Sequence, residues 1–142
     1  MRTDYEQQAQ DFLDATGTTL TVEYIKTAKY FHGDKEARDI FRFTLTNERG
    51  SYSSTFGDSI MATANRTEKT QDLPSAYTIL ACLEKYEPDP DFFSWCRGFG
   101  YDDSPVTDYP RIKAIHDACI EQFTGLSAIF TDLEMENLQE IQ

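Results

Sequence analysis

The sequence predicts an α+β fold, a three-stranded antiparallel meander covered on one face by four or five helices. Three observations predict it. Between Thr19 and Phe56, apolar and polar residues alternate in three short stretches, the period of half-buried strands. Asn47-Glu48-Arg49-Gly50 is a hairpin signal between the second and third stretch, with a glycine free to take positive φ. Before Thr16 and after Pro74 the apolar spacing changes to the 3.6-residue period of helices.

The spacing predicts a first helix over Asp4 to Ala15, capped by Thr3 or Asp4, with Tyr5, Ala9, Phe12 and Leu13 on its buried side and Thr16-Gly17-Thr18 as its stop. Leu20, Val22 and Tyr24 form one face of the first strand. Lys26 to Arg38 is polar and reads as a long turn or irregular strand end. Phe41, Phe43 and Leu45 form one face of the second strand, and Tyr52, Ser54 and Phe56 one face of the third. The opposite face of this meander is rich in Thr, Ser and Arg, so only one face belongs to the core.

Gly57 to Leu73 reads as a short helix or turn followed by an exposed loop. A helix is expected over Pro74 to Tyr86, with proline near N1 and Tyr77, Leu80, Ala81 and Leu83 buried. The segment Asp91 to Asp103 holds five aromatic rings and a cysteine between acidic borders. A helix over Asp91 to Arg97 aligns Phe92, Trp95, Cys96 and Phe99, and Gly98 and Gly100 end it. No other segment is so dense in groups that favour burial, so helices and sheet are expected to meet there. Thr107 or Asp108 then caps a long helix with the stripe Ile112, Ile115, Cys119, Phe123, Leu126 and Phe130, weakened at Gly125. Thr131-Asp132-Leu133-Glu134 resembles a capping box opening a last helix, with Leu133, Leu138 and Ile141 inward.

A chain of 142 residues suits one domain over 1–142 and, at about 68–70% burial of its unfolded surface, one real core. There is no apolar run long enough to cross a bilayer and no signal-peptide apolar segment after Met1, so a cytoplasmic protein is expected. Cys82, Cys96 and Cys119 are odd in number and sit within apolar patterns, which reads as three reduced, buried thiols.

Net charge is −12 and uneven. Residues 1–83 hold 12 acids and 9 bases, whereas residues 84–142 hold 13 acids and 4 bases. Such a surface repels nucleic-acid phosphates and anionic membranes and attracts a basic protein. The carboxylates that carry this reading are Glu84, Glu87, Asp89, Asp91, Asp102, Asp103 and Asp108, with Asp132, Glu134, Glu136 and Glu140 beside them. Fixed on helices, they can present charges at separations like those of phosphates along a nucleic acid. The competing reading is that a pI near 4.4 only keeps the chain soluble.

Other chemistry has little support. His32 and His116 lack further ligands at zinc spacing, and no phosphate loop, nucleophile elbow or paired-carboxylate motif is present. No enzyme activity, cofactor or metal is expected. His116 with Cys96 or Cys119 is the one nucleophilic pair that folding could assemble, against a histidine at the edge of the core. Asp102-Asp103-Ser104 with Asp108 could chelate calcium, but turn and capping roles suit them better. Lys35, Arg38 and Arg42 form a local basic patch of mixed surroundings.

Several segments carry a resemblance: Asp4-Tyr5-Glu6-Gln7-Gln8-Ala9, Lys29-Tyr30-Phe31, Asp34 to Ile40, Ala76-Tyr77, Leu80 to Tyr86, and Phe93, Cys96 and Phe99-Gly100-Tyr101-Asp102. In these the chain resembles a family of small acidic proteins encoded by phages and mobile elements. Pro105 and Pro110 depart from the family's pattern, which continues into a charged helix at this point. The resemblance implies action in the bacterial host cytoplasm and carries over no catalytic residues. By class analogy, it implies an inhibitor of host defence of the anti-CRISPR or anti-restriction type. The expected partner is the basic surface of a nucleic-acid-binding host protein, above all a CRISPR effector, met by a monomer or homodimer. The alternative is a phage accessory protein that self-associates through its Thr/Ser sheet face in replication or packaging.

Overall fold

The computed structural model describes residues 2–28, 38–59, 73–98 and 109–142. The elements run α1 (Arg2–Thr16), β1 (Thr19–Ala28), β2 (Arg38–Asn47), β3 (Gly50–Ser59), α2 (Ala76–Ala81), α3 (Phe92–Gly98), α4 (Tyr109–Ile129) and α5 (Asp132–Gln139). The strands form one antiparallel sheet in the order β1-β2-β3, so the fold is α+β, with a three-stranded meander and five helices among the described residues.

Register follows the alternation in the sequence. Val22 stands opposite Phe43, which stands opposite Ser54; Leu45 stands opposite Tyr52. Phe41, Phe43 and Leu45 are buried to the last few per cent, while the other face exposes Arg42, Thr46, Ser51, Ser53 and Thr55. Across that outer face Arg42 pairs with Glu23 at 3.4 Å, and the hydroxyls of Thr44 and Ser53 meet at 2.7 Å. A register shift between Tyr24 and Lys26 puts a bulge at Ile25, and both strands flanking the 29–37 segment run further than the polar composition suggested.

The hairpin turn forms as its residues require, with Gly50 at φ 142°. Asn47 accepts from the Arg49 amide at 2.9 Å and donates to the Ile129 carbonyl at 3.0 Å, tying the turn to the end of α4. Helix α1 ends in a Schellman arrangement: Gly17 takes φ 63°, its amide bonds the Asp14 carbonyl at 3.2 Å, and the Thr18 amide bonds the Leu13 carbonyl at 2.9 Å. The main core joins Phe12 and Leu13 of α1, Phe43 and Leu45 of β2, Leu80 of α2 and Leu126 of α4, and α5 closes it with Met135 and Leu138.

Several expectations need correction. The aromatic segment is not where helices and sheet meet: Phe92, Trp95, Cys96 and Ile112 form a second, smaller cluster between α3 and the first half of α4. Helix α2 is six residues, not thirteen: Ser75 caps its start, its side chain accepting from the Thr78 amide at 3.2 Å, and the helix already ends at Ala81, where the Cys82 amide turns to the Ile79 carbonyl at 3.1 Å. Lys85 is buried instead of extending that helix, and its ammonium donates to the Ile141 carbonyl. Cys82 is exposed.

Leu133 is 65% exposed, and Met135 takes its place inside. The reason is periodicity: Met135, Leu138 and Ile141 recur every three residues, whereas Leu133 falls about 140° away from Leu138 around the helix. Tyr5 is also exposed, its ring resting on Tyr77 at 5.3 Å between centroids. Gly98 closes α3 without a positive φ, while Phe99 and Gly100 lie outside the described residues. Helix α4 is continuous through Gly125, and on its stripe Ile112 and Leu126 are buried while Ile115, Cys119 and Phe123 are partly so.

Candidate interaction surface

The chain between α2 and α3, residues 82–91, is acidic and lies against α4. Two bonds fix it there. The Gln122 side-chain oxygen accepts from the Glu84 amide at 2.5 Å, and His116 bonds the Asp89 carbonyl at 2.8 Å. A carbonyl can only accept, so the histidine's Nε2 carries a proton and donates it. His116 is 1% exposed, deep in the core rather than at its edge, and its Nδ1 has no hydrogen-bond partner among the described residues. Its ring lies 4.8 Å from that of Trp95, which stacks on Phe92 at 6.5 Å and 22°.

Immobilised in this way, residues 84–89 and α3 flank an open cleft of about 310 Å³. Its lining includes Glu84, Glu87 and Asp89, the rings of Tyr86 and Trp95, and Gly98 at the mouth of α3. Among the described residues no lysine, arginine or histidine lines it and none of the three carboxylates forms an ion pair, but the Arg97 guanidinium donates to Oγ of the lining Ser94 at 3.0 Å and the Glu84 carboxylate is bonded to the Cys119 thiol. Asp89 is held in place by the Asp91 amide, which donates to its Oδ1 at 2.9 Å.

Asp91 itself starts α3. Its Oδ2 accepts from the Ser94 amide at 2.8 Å, and this bond holds the carboxyl below the ordinary aspartate range. Asp91 is therefore a capping residue beside the cavity and does not line it.

The C-terminal carboxylates divide differently. Glu134 and Glu140 line a second cleft, about 400 Å³, between α1 and α5, where Asp11 joins them over Phe12 and Ile141. Glu134 is also structural: its Oε1 accepts from the Thr131 amide at 2.9 Å while Thr131 accepts from the Glu134 amide at 3.1 Å, completing the capping box. Asp132 and Glu136 are exposed on α5 and line neither cleft. Asp102, Asp103 and Asp108 lie outside the described residues, as does the calcium reading built on them.

The structure therefore gathers Glu84, Glu87 and Asp89 in one place and Glu134 and Glu140 in another. Asp117, also acidic and on α4, is instead matched by Lys113 on the next turn. Sequence reasoning missed Asp11, whose partners come from the other end of the chain, and Tyr86 and Trp95 as walls of an acidic cavity. The alternation of Tyr86 with Glu84, Glu87 and Asp89 was the available signal.

The Cys/His pair is not assembled. No thiol is hydrogen-bonded to His116 Nδ1, and burial pushes both Cys96 and Cys119 up, Cys119 to about 11 with the negative charge of Glu84 adding to the effect. Neither is a thiolate near neutral pH. A further cleft, about 500 Å³ between α1, β1 and residues 73–76, has Asp14 as its one charged lining residue among those described. Among the described residues no group of three or more His, Cys, Asp or Glu is placed to hold a metal, and no helix is long and apolar enough to cross a membrane. Of the basic patch, only Arg42 has a described side chain, and it is engaged with Glu23.

No protein-family model, curated protein or solved structure matches the chain.

Proposed function

We propose that the protein is a non-enzymatic inhibitor that binds the basic, nucleic-acid-gripping surface of a host defence protein, a CRISPR effector in the first instance. The observation that carries this reading is the pair of clefts whose charged lining residues are all acidic. Unmatched carboxylates on a fixed backbone keep their charge for a partner, and they steer a cationic surface toward them while repelling nucleic acid itself. Glu84, Glu87 and Asp89 form the central contact, and Glu134 and Glu140 with Asp11 form the second. Asp132 and Glu136 add to the field around them. Class analogy with small acidic phage proteins supplies the choice of target.

The test is binding to purified CRISPR effectors at increasing salt, with wild type and a variant carrying lysine at 84, 87, 134 and 140. Specific binding that weakens steeply with salt and is lost in the folded variant supports the proposal. Unchanged binding by the variant removes it.

A second reading, self-association, has its own observation. The sheet order leaves β1 and β3 each with a single strand neighbour and exposes a Thr/Ser face. Light scattering across a concentration series separates the two, since only self-association gives a mass that doubles without any partner.

A further inference from the structure

We infer that the free edge of β3 is a homodimer seam, pairing antiparallel with β3 of a second copy about a two-fold axis at Ser54. The inference rests on the second reading above, self-association, and goes further by naming the edge, the register and the occupant. An edge strand recruits a copy of itself under three conditions: its outward backbone groups are unpaired, nothing along it repels or distorts a neighbour, and its residues match when the strand is reversed.

β3 meets the first two along its whole length. Asn47 and Gly50 close the two-residue turn as a hydrogen-bonded pair, so bonded and non-bonded pairs alternate from there, and Ser51, Ser53, Thr55 and Gly57 turn their amides and carbonyls away from β2. Among the described residues nothing bonds those groups. Positions 50–57 carry no charged side chain in a chain of net charge −12, and the pairing with β2 runs from Gly50 to Ser59 without a register shift. The other edge is protected: β1 is interrupted by the bulge at Ile25 and carries Glu23 and Lys26.

The third condition selects the register. An axis at Ser54 sets Ser53 opposite Thr55 and Ser51 opposite Gly57 as hydrogen-bonded pairs, giving about eight backbone hydrogen bonds across the seam. On the helix-covered face it sets Tyr52 opposite Phe56 of the second copy, both half-buried, so an aromatic pair lies on either side of the axis. On the outer face the exposed hydroxyls of Ser53 and Thr55 come together. At each end Arg49, exposed in the turn, comes level with Ser59 and next to Asp58 of the second copy, so residues of opposite charge flank the neutral stretch. Moving the axis by one residue either way parts both aromatic pairs.

With about seven residues a side, against roughly 20–30 in stable complexes, the seam should give a weak dimer with a Kd on the order of 100 μM. Sedimentation equilibrium of the full chain from about 10 μM to about 1 mM should show the mass rising toward twice the monomer value. Thr55→Pro removes an outward amide that β2 does not use and should stay monomeric, with circular dichroism confirming its fold. Register is read by a crosslink in a Cys82→Ser background, which removes the exposed native thiol. Ser54→Cys, close in size to serine, puts two thiols across the axis at the spacing of a non-hydrogen-bonded pair, about 4.5 Å between Cα atoms and within disulfide reach. Oxidised glutathione then takes the two thiols to one disulfide and is itself reduced to two thiols. Thr55→Cys faces Ser53 rather than itself and should crosslink at least about fivefold more slowly. A mass that stays single at the highest concentration overturns the seam and self-association together and leaves the edge to a strand of another protein. A doubled mass with folded Thr55→Pro unaffected, or with Ser54→Cys no faster than Thr55→Cys, overturns the seam while self-association stands through another surface. Should Thr55→Pro fail to fold, the two crosslinking rates decide alone.

Discussion

The ring of Tyr52 on β3 occupies the space that a side chain at position 125 on α4 would need, so Gly125 is the point where the long helix lies directly on the sheet. Glycine inside a helix is ordinarily a weakness of about 1 kcal/mol relative to alanine. Here the absent Cβ is what lets α4 approach, and the helix runs through the position unbroken because tertiary packing outweighs the local propensity.

Gly125→Ala should therefore reverse the usual sign of a helical glycine replacement. Overpacking against the ring costs roughly 1–3 kcal/mol against a propensity gain of about 1 kcal/mol, so a net loss of up to about 2 kcal/mol is expected in chemical denaturation. In a Tyr52→Ala background the same substitution should become neutral or stabilising. A double-mutant cycle showing no coupling between the two positions would contradict the contact.

That pair also shows where sequence reasoning reaches its limit. Alternation placed Phe41, Phe43 and Leu45 on one face, and the turn residues Asn47 to Gly50 set the register, because both signals are local. Gly125 looked like a break, since its use depends on a ring more than seventy positions earlier. Trp95 and Cys96 were legible as buried, but not that α4 alone would cover them in a separate cluster. For the candidate site, the acidic composition of residues 84–91 was plain in the sequence. What was not plain is that His116 and Gln122 would clamp that stretch to α4 and bring Glu84, Glu87 and Asp89 to the lining of one cleft.

The capping box at the start of α5 allows charge and structure to be separated at Glu134. Thr131→Ala removes the acceptor for the Glu134 amide and should cost about 1 kcal/mol, read as a lower thermal midpoint. Glu134→Gln keeps an oxygen for the Thr131 amide and should leave stability nearly unchanged while removing a negative charge from the α1–α5 cleft. Loss of partner affinity in Glu134→Gln without loss of stability would mark that carboxylate as part of the contact.

Thiol chemistry should sort the three cysteines by environment. Cys82 is exposed and should react first with a disulfide reagent at mildly alkaline pH, while Cys96 and Cys119 should wait for unfolding. The same burial has a consequence for stability. Cys119 ionises at about 11 in the folded chain but near 9.0 when unfolded, so between those values the folded state binds more protons. Stability linked to this group is whole below pH 9 and declines as pH rises toward 11. Cys119→Ala should show a smaller decline than wild type over that window, measured by urea unfolding; parallel curves would refute the assignment.

A matched pair of charge reversals tests whether position or total charge governs partner binding. Glu87→Lys and Glu136→Lys both alter exposed residues, and each moves the net charge from −12 to −10. The first lies in the acid-lined cavity, and the second lines neither cleft. If fixed carboxylates in the cavity receive a cationic group, Glu87→Lys places a like charge against it and should weaken binding by about tenfold or more, with much of the loss in dissociation rate. Glu136→Lys changes only the surrounding field, so its effect should be a few-fold, confined to the association rate, and erased at high salt. Equal effects from the two substitutions would mean that overall acidity alone draws the partner, and the cavity would then have no part in recognition.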